Sequence, residues 1–120
     1  LQMAQLAASI TNQGTAPSLR IAQAYRNQNG WTVLPSMGNN QTLLPDTQVE
    51  VIRSELALAN DPFWLVVHIP PDQEFAWVLA GTLPRYERAP LSMVFILEET
   101  DDRAEAAELA ISTLRLVTQP

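Results

Sequence analysis

Two short stretches limit what this chain can become. FWLVVHI at 63–69 and LSMVFILE at 91–98 are apolar at almost every position. A strand with one face in water alternates apolar and polar side chains, so a strand apolar on both faces has to be covered on both. Between them EFAWVLAG at 74–81 puts Phe75, Trp77 and Leu79 on one face. The PPDQ turn reverses the first strand and LPRYERAP is a Pro-bounded surface loop. These segments predict an antiparallel sheet of three main strands that needs helices packed against it.

Three segments have the helical period. In LQMAQLAASITNQGT, residues 1–15, Met3, Leu6, Ala7 and Ile10 share a face, and Gly14 can take the left-handed position that ends the helix near Gln13. No Ser, Thr or Asp caps its start, so the helix reads as the continuation of something larger. A second helix is expected from Asp46 to Ala59, with Pro45 suited to its first turn and Val49, Ile52, Leu56 and Ala59 on one stripe. The third runs from Asp102 to Val117, with Ala107, Ala110, Ile111, Leu114 and Val117 inward and acidic residues at its positive end.

The first and second helices are joined by a small hairpin and a loop. SLRIAQAYR at 18–26 places Leu19, Ile21 and Tyr25 on one face, Asn29-Gly30 supplies a tight turn, and WTVL returns. Residues 35–45 read as loop. The whole is an α+β chain in the order α-β-β-α-β-β-β-α, one domain over 1–120.

The charge balance removes several functions. Seven basic against thirteen acidic residues give a net charge of −6, which argues against nucleic acid as a partner. All seven basic residues are Arg, and there is no Lys and no Cys. Disulfides and thiolate metal sites are therefore impossible. No apolar run reaches the ~20 residues of a transmembrane helix.

Side chains capable of chemistry are few. His68 is the only His, alone in an apolar strand, and is expected to be structural. Glu98, Glu99, Asp101 and Asp102 lack the alternating oxygen ligands and central Gly of a calcium loop and read as the charged start of the last helix. Trp64 and Trp77 lie in expected core strands and serve packing rather than ligand stacking. No phosphate-binding Gly cluster is present. No metal, cofactor or catalytic residue is expected in this chain.

The first segment nevertheless resembles a known family. LQMAQLAASITNQGT is similar to the helix that follows the active-site half of penicillin-binding transpeptidase domains, written there P-L-Q-M-A and ending A-N-G-G-T; the matches are Leu1, Gln2, Met3, Ala4, Gln5, Ala7, Asn12, Gly14 and Thr15. EFAWVLAGTLP resembles that family's A-W-F-x-G-x-x-P strand at Ala76, Trp77, Gly81 and Pro84, with one extra residue between Trp and Gly. The resemblance spans essentially all 120 residues and implies the last third of a transpeptidase domain: helix, hairpin, helix, three antiparallel strands and a closing helix.

The resemblance also implies a function. In that family a Ser in S-x-x-K, helped by S-x-N and by K-T-G on the first late strand, performs acyl transfer on peptidoglycan stem peptides and is acylated by β-lactams. None of the three motifs occurs here, and K-T-G would fall inside this chain, where the segment from Asn60 to Trp77 has no Lys, Thr or Gly. The implied substrate-groove strand is Phe63, Trp64, Leu65 and Val66. The implied location is the extracytoplasmic face of a bacterial cytoplasmic membrane. Two functions remain open, the C-terminal portion of a cell-wall transpeptidase and a non-catalytic penicillin-binding-like scaffold, beside an unrelated α+β domain whose first helix matches by chance. Three helices are too few to cover both faces of the sheet, so a partner is expected: the upstream part of the same domain, or a second copy.

Overall fold

The computed structural model describes residues 1–18, 24–35 and 38–119. Along the chain it contains α1 (Gln2–Thr11), β1 (Thr15–Ala16), β2 (Ala24–Asn27), β3 (Gly30–Val33), β4 (Gln41–Thr42), α2 (Asp46–Leu56), β5 (Phe63–His68), β6 (Phe75–Thr82), β7 (Ser92–Glu98) and α3 (Arg103–Thr118). This is the expected α+β class and, apart from two short strands, the expected order. The part of the first hairpin strand carrying Leu19 and Ile21 lies outside the described residues.

The three apolar segments form one antiparallel sheet in the order β5-β6-β7. Its register runs from Phe63 opposite Thr82 to His68 opposite Trp77, and from Phe75 opposite Glu98 to Gly81 opposite Ser92. Because strand side chains alternate, that register sorts the sheet into two faces. Trp64, Val66, Leu79 and Val94 pack with Ala7 and Ile10 of α1 and with Ile52 and Leu56 of α2. Val67, Ala76 and Val78 lie under Ala106 and Ala110 of α3, while Phe63 and Ala80 lie under Leu114. α1 lies over β6 and β7 and α3 over β5 and β6, so the sheet is covered on both faces at β6, while β7 carries no fully buried residue.

Several boundaries and faces differ from expectation. The second helix stops at Leu56, short of Ala59, because Ala57 is extended and the Leu58 N–H donates to Phe63 O at 2.9 Å, turning the chain directly into β5. Along α3 the buried line is Ala106, Ala110 and Leu114, an i, i+4 row whose two alanines let the helix sit close to the sheet; Val117 lies off that row and is exposed. On β6 the small side of Ala76, Val78 and Ala80 is completely buried, deeper than the Phe75, Trp77 and Leu79 side.

Two connections fix α1. Asn12 to Gly14 leave the helix through a turn in which Gln13 and Gly14 have positive φ, at 50° and 83°. A Cβ on Gly14 would stand 2.1 Å from Leu44 O, so glycine is required there for space as well as for φ. The turn leads into β1, which pairs with β4 through Thr15–Thr42 and Ala16–Gln41, a two-residue ladder the sequence did not announce. The β2–β3 hairpin stands apart, with Tyr25, Trp31 and Val33 exposed.

Candidate functional site

The strand implied as a substrate groove, Phe63 to Val66, forms the outer edge of the sheet. Leu83 N–H donates to Pro62 O at 2.8 Å, and with the register this sets the parity of the ladder: Trp64, Val66 and His68 turn their main-chain groups toward β6, while Phe63, Leu65 and Val67 turn theirs outward. The outward edge is already used at its start, where Phe63 O accepts from Leu58 and Ala57 bridges Trp64. Beyond that bridge no strand pairs with this edge among the described residues.

From Phe63 to Val66 the side chains offer no acid, base or nucleophile. Phe63 and Trp64 are buried, Leu65 and Val66 are half-buried on opposite faces, and exposed His68 closes the strand. What the edge presents is main chain, able to pair with an extended segment.

Behind that strand is a buried polar node. Trp64 is fully buried, and its indole Nε1 donates to Thr11 Oγ1 at 3.0 Å, tying the end of α1 to the sheet. Gly81 lies against the pair: a Cβ there would stand 2.3 Å from Thr11 Oγ1, 2.7 Å from Trp64 Nε1 and 2.9 Å from Leu91 O. A larger residue at 81 cannot coexist with the Thr11–Trp64 bond in this geometry. The same helix end is held by Arg53 of α2, whose Nε donates to Ile10 O at 2.6 Å and Nη2 to Thr11 O at 2.5 Å. A cation at a helix C-terminus satisfies carbonyls that have no partner within the helix. Burial pulls the Arg53 guanidinium below the usual arginine range, and the Glu50 carboxylate partly offsets that.

A cleft of about 520 Å³ opens beside this node, lined by Gln13, Glu50, Arg53, Ser54, Pro84 and Arg85 among others. Its cations are engaged. Arg53 holds the two α1 carbonyls, and Arg85 Nη2 donates to Leu58 O at 2.8 Å and to Asp61 O. Asp61 in turn takes both Nε and Nη2 of Arg115, at 3.1 and 2.9 Å, and this pairing raises the Arg115 pKa. The Ser54 hydroxyl donates to Val51 O at 2.7 Å, as Ser9 and Ser112 hydroxyls do to carbonyls three residues back. Acyl transfer needs a serine that gives its proton to a base, and each of these three hydroxyls donates to a helix carbonyl instead.

The acidic run acts on structure. The Asp102 carboxylate caps α3, accepting from Ala104 N at 2.7 Å and Glu105 N at 3.3 Å, and Thr100 Oγ1 donates to Glu105 Oε2 at 2.8 Å. Among the described residues no three His, Asp or Glu side chains are grouped to hold a metal ion. No helix of the described residues is long and apolar enough to cross a membrane. The sequence reading missed Thr11, Arg53 and Gly81 as a unit; the available signal was a Thr and an Arg falling on otherwise apolar helix faces. Comparison with known protein families, curated proteins and solved structures finds no match to this chain.

Proposed function

We propose that this chain is the C-terminal portion of a bacterial penicillin-binding transpeptidase domain, supplying the sheet and its covering helices and no catalytic group of its own. The observation that carries the reading is the Thr11–Trp64–Gly81 node. It joins the two segments that bear the resemblance, the LQMAQ helix and the AWVLAG strand, to the edge strand implied as the groove. Peptidoglycan stem peptides or β-lactams then bind only through the parent domain, along the edge strand β5, on the extracytoplasmic face of the membrane. The upstream part of the same domain is the partner in this reading.

A second reading, a non-catalytic scaffold of the same ancestry, is favoured by one feature. The edge strand carries no K-T-G, and its first residues are closed off by Ala57 and Leu58. The coding sequence ahead of Leu1 tests both. S-x-x-K and S-x-N in that frame, at the spacing of an active-site half, are expected from the first reading; a penicillin-binding-like frame without them establishes the second, and an unrelated frame refutes both.

A further inference from the structure

The cleft beside the end of α1 holds polar groups that the fold itself leaves unused. Its volume of about 520 Å³ lies within the ~300–1,000 Å³ of small-molecule sites, and a smaller cleft of about 110 Å³ shares Gln13, Glu50 and Arg53 with it. Arg53 is only 7 % exposed and is bonded through Nε and Nη2, to Ile10 O and Thr11 O. Its Nη1 has no hydrogen-bond partner among the described residues, although a guanidinium carries donors on all three nitrogens. No buried side-chain nitrogen or oxygen is left unpaired there, so Nη1 reaches the water-accessible wall. Arg85 likewise gives only Nη2 to Leu58 O and Asp61 O, which leaves its Nε and Nη1. Glu50 lies near enough to Arg53 to favour its charge, yet forms no ion pair with it.

Gln13 is an independent sign. Its φ of 50° is left-handed, a region that Gly or Asn enters readily and a Gln only under strain. Its side-chain amide has no partner among the described residues. Backbone strain kept at a side chain that the fold does not use points to a ligand. Ala57, Leu83 and Pro84 complete the wall with an apolar stretch.

We propose that this cleft binds a free α-amino acid with an apolar side chain. The ligand carboxylate takes the unused N–H groups of Arg53 and Arg85, its ammonium takes the Glu50 carboxylate, and its side chain lies on Ala57, Leu83 and Pro84. The Gln13 amide can donate to the one charged group or accept from the other. Charge selects this chemistry. A phosphate dianion would meet Glu50 as a like charge, a plain monocarboxylate would leave Glu50 unpaired beside it, and an amine would leave the guanidinium edges empty. The proposal is independent of the transpeptidase reading.

The test is a titration of the isotope-labelled chain with leucine, followed by nuclear magnetic resonance at the backbone amides of Gln13, Ser54, Ala57 and Arg85. Saturable shifts centred on these amides are expected, with a dissociation constant on the order of 1 mM. Isocaproate, which lacks the ammonium, and isoamylamine, which lacks the carboxylate, should each bind about fivefold more weakly or worse. Glu50→Gln, at an exposed position, should weaken leucine by about fivefold and isocaproate not at all. Gln13→Gly relieves the strained turn, so it should keep or raise the thermal midpoint while weakening leucine several-fold, which separates binding from folding. The absence of saturable shifts up to about 50 mM leucine overturns the proposal. So do equal affinities for the three compounds, or undiminished leucine binding by either variant.

Discussion

Replacing Gly81 by Ala gives a sharp test of the packing around Trp64, because the two possible outcomes have opposite signs. Gly81 does not occupy the left-handed region, so Ala fits its backbone and, in open space, stabilises by about 0.4–1 kcal/mol through the unfolded state. In this structure the new Cβ meets Thr11 Oγ1 at 2.3 Å, Trp64 Nε1 at 2.7 Å and Leu91 O at 2.9 Å. The carbonyl belongs to the β6–β7 connection and cannot swing away as a side chain would. Overpacking costs about 1–3 kcal/mol and loss of the buried Thr11–Trp64 bond about 1 kcal/mol more, together roughly 3 kcal/mol destabilising. For a chain of 120 residues the unfolding entropy is about 0.25 kcal/mol per degree, so the midpoint should fall by about 12 °C. Thermal unfolding by far-UV circular dichroism measures it. A midpoint that rises, or falls by less than about 3 °C, refutes the reasoning.

Other substitutions probe the supports separately. Thr11→Val and Trp64→Phe should each destabilise, by about 1–3 kcal/mol, while the double variant costs less than the sum; chemical denaturation of the four proteins gives a coupling near 1 kcal/mol, and strict additivity would remove the hydrogen bond from the account. Arg53→Met leaves Ile10 O and Thr11 O without their donor and should cost about 3 kcal/mol, read as a lowered denaturant midpoint; an unchanged midpoint would show that water replaces the guanidinium fully. Asp102→Ala should cost about 1 kcal/mol, and Asp102→Asn should recover most of it, because the amide oxygen can accept the same two N–H groups.

The sheet was legible in the sequence because FWLVVHI and LSMVFILE are apolar runs bounded by turns, whereas the placing of α1 and α3 on opposite faces, and the partial exposure of β7, were not. The helices were legible by period, yet their contact lines were not. The inward row of α3 runs through Ala106, a residue too small to weigh in a hydrophobic pattern, because close approach to Val67 and Val78 favours a small side chain. The end of α2 depended on a main-chain bond from Leu58 to Phe63, which no side-chain pattern records. Likewise β1 and β4 are two residues each and depend on the turn at Gly14. Of the implied groove, its position at a sheet edge, its partial closure by Ala57 and the burial of Phe63 and Trp64 could be seen only once the strand order and α2 were placed.

The claim that this chain supplies structure and no nucleophile is tested most directly by acylation. The chain is incubated with a fluorescent penicillin and mapped by peptide mass spectrometry. The account predicts no adduct within residues 1–120. A stable acyl adduct on Ser9, Ser18, Ser36, Ser54, Ser92 or Ser112 would contradict it.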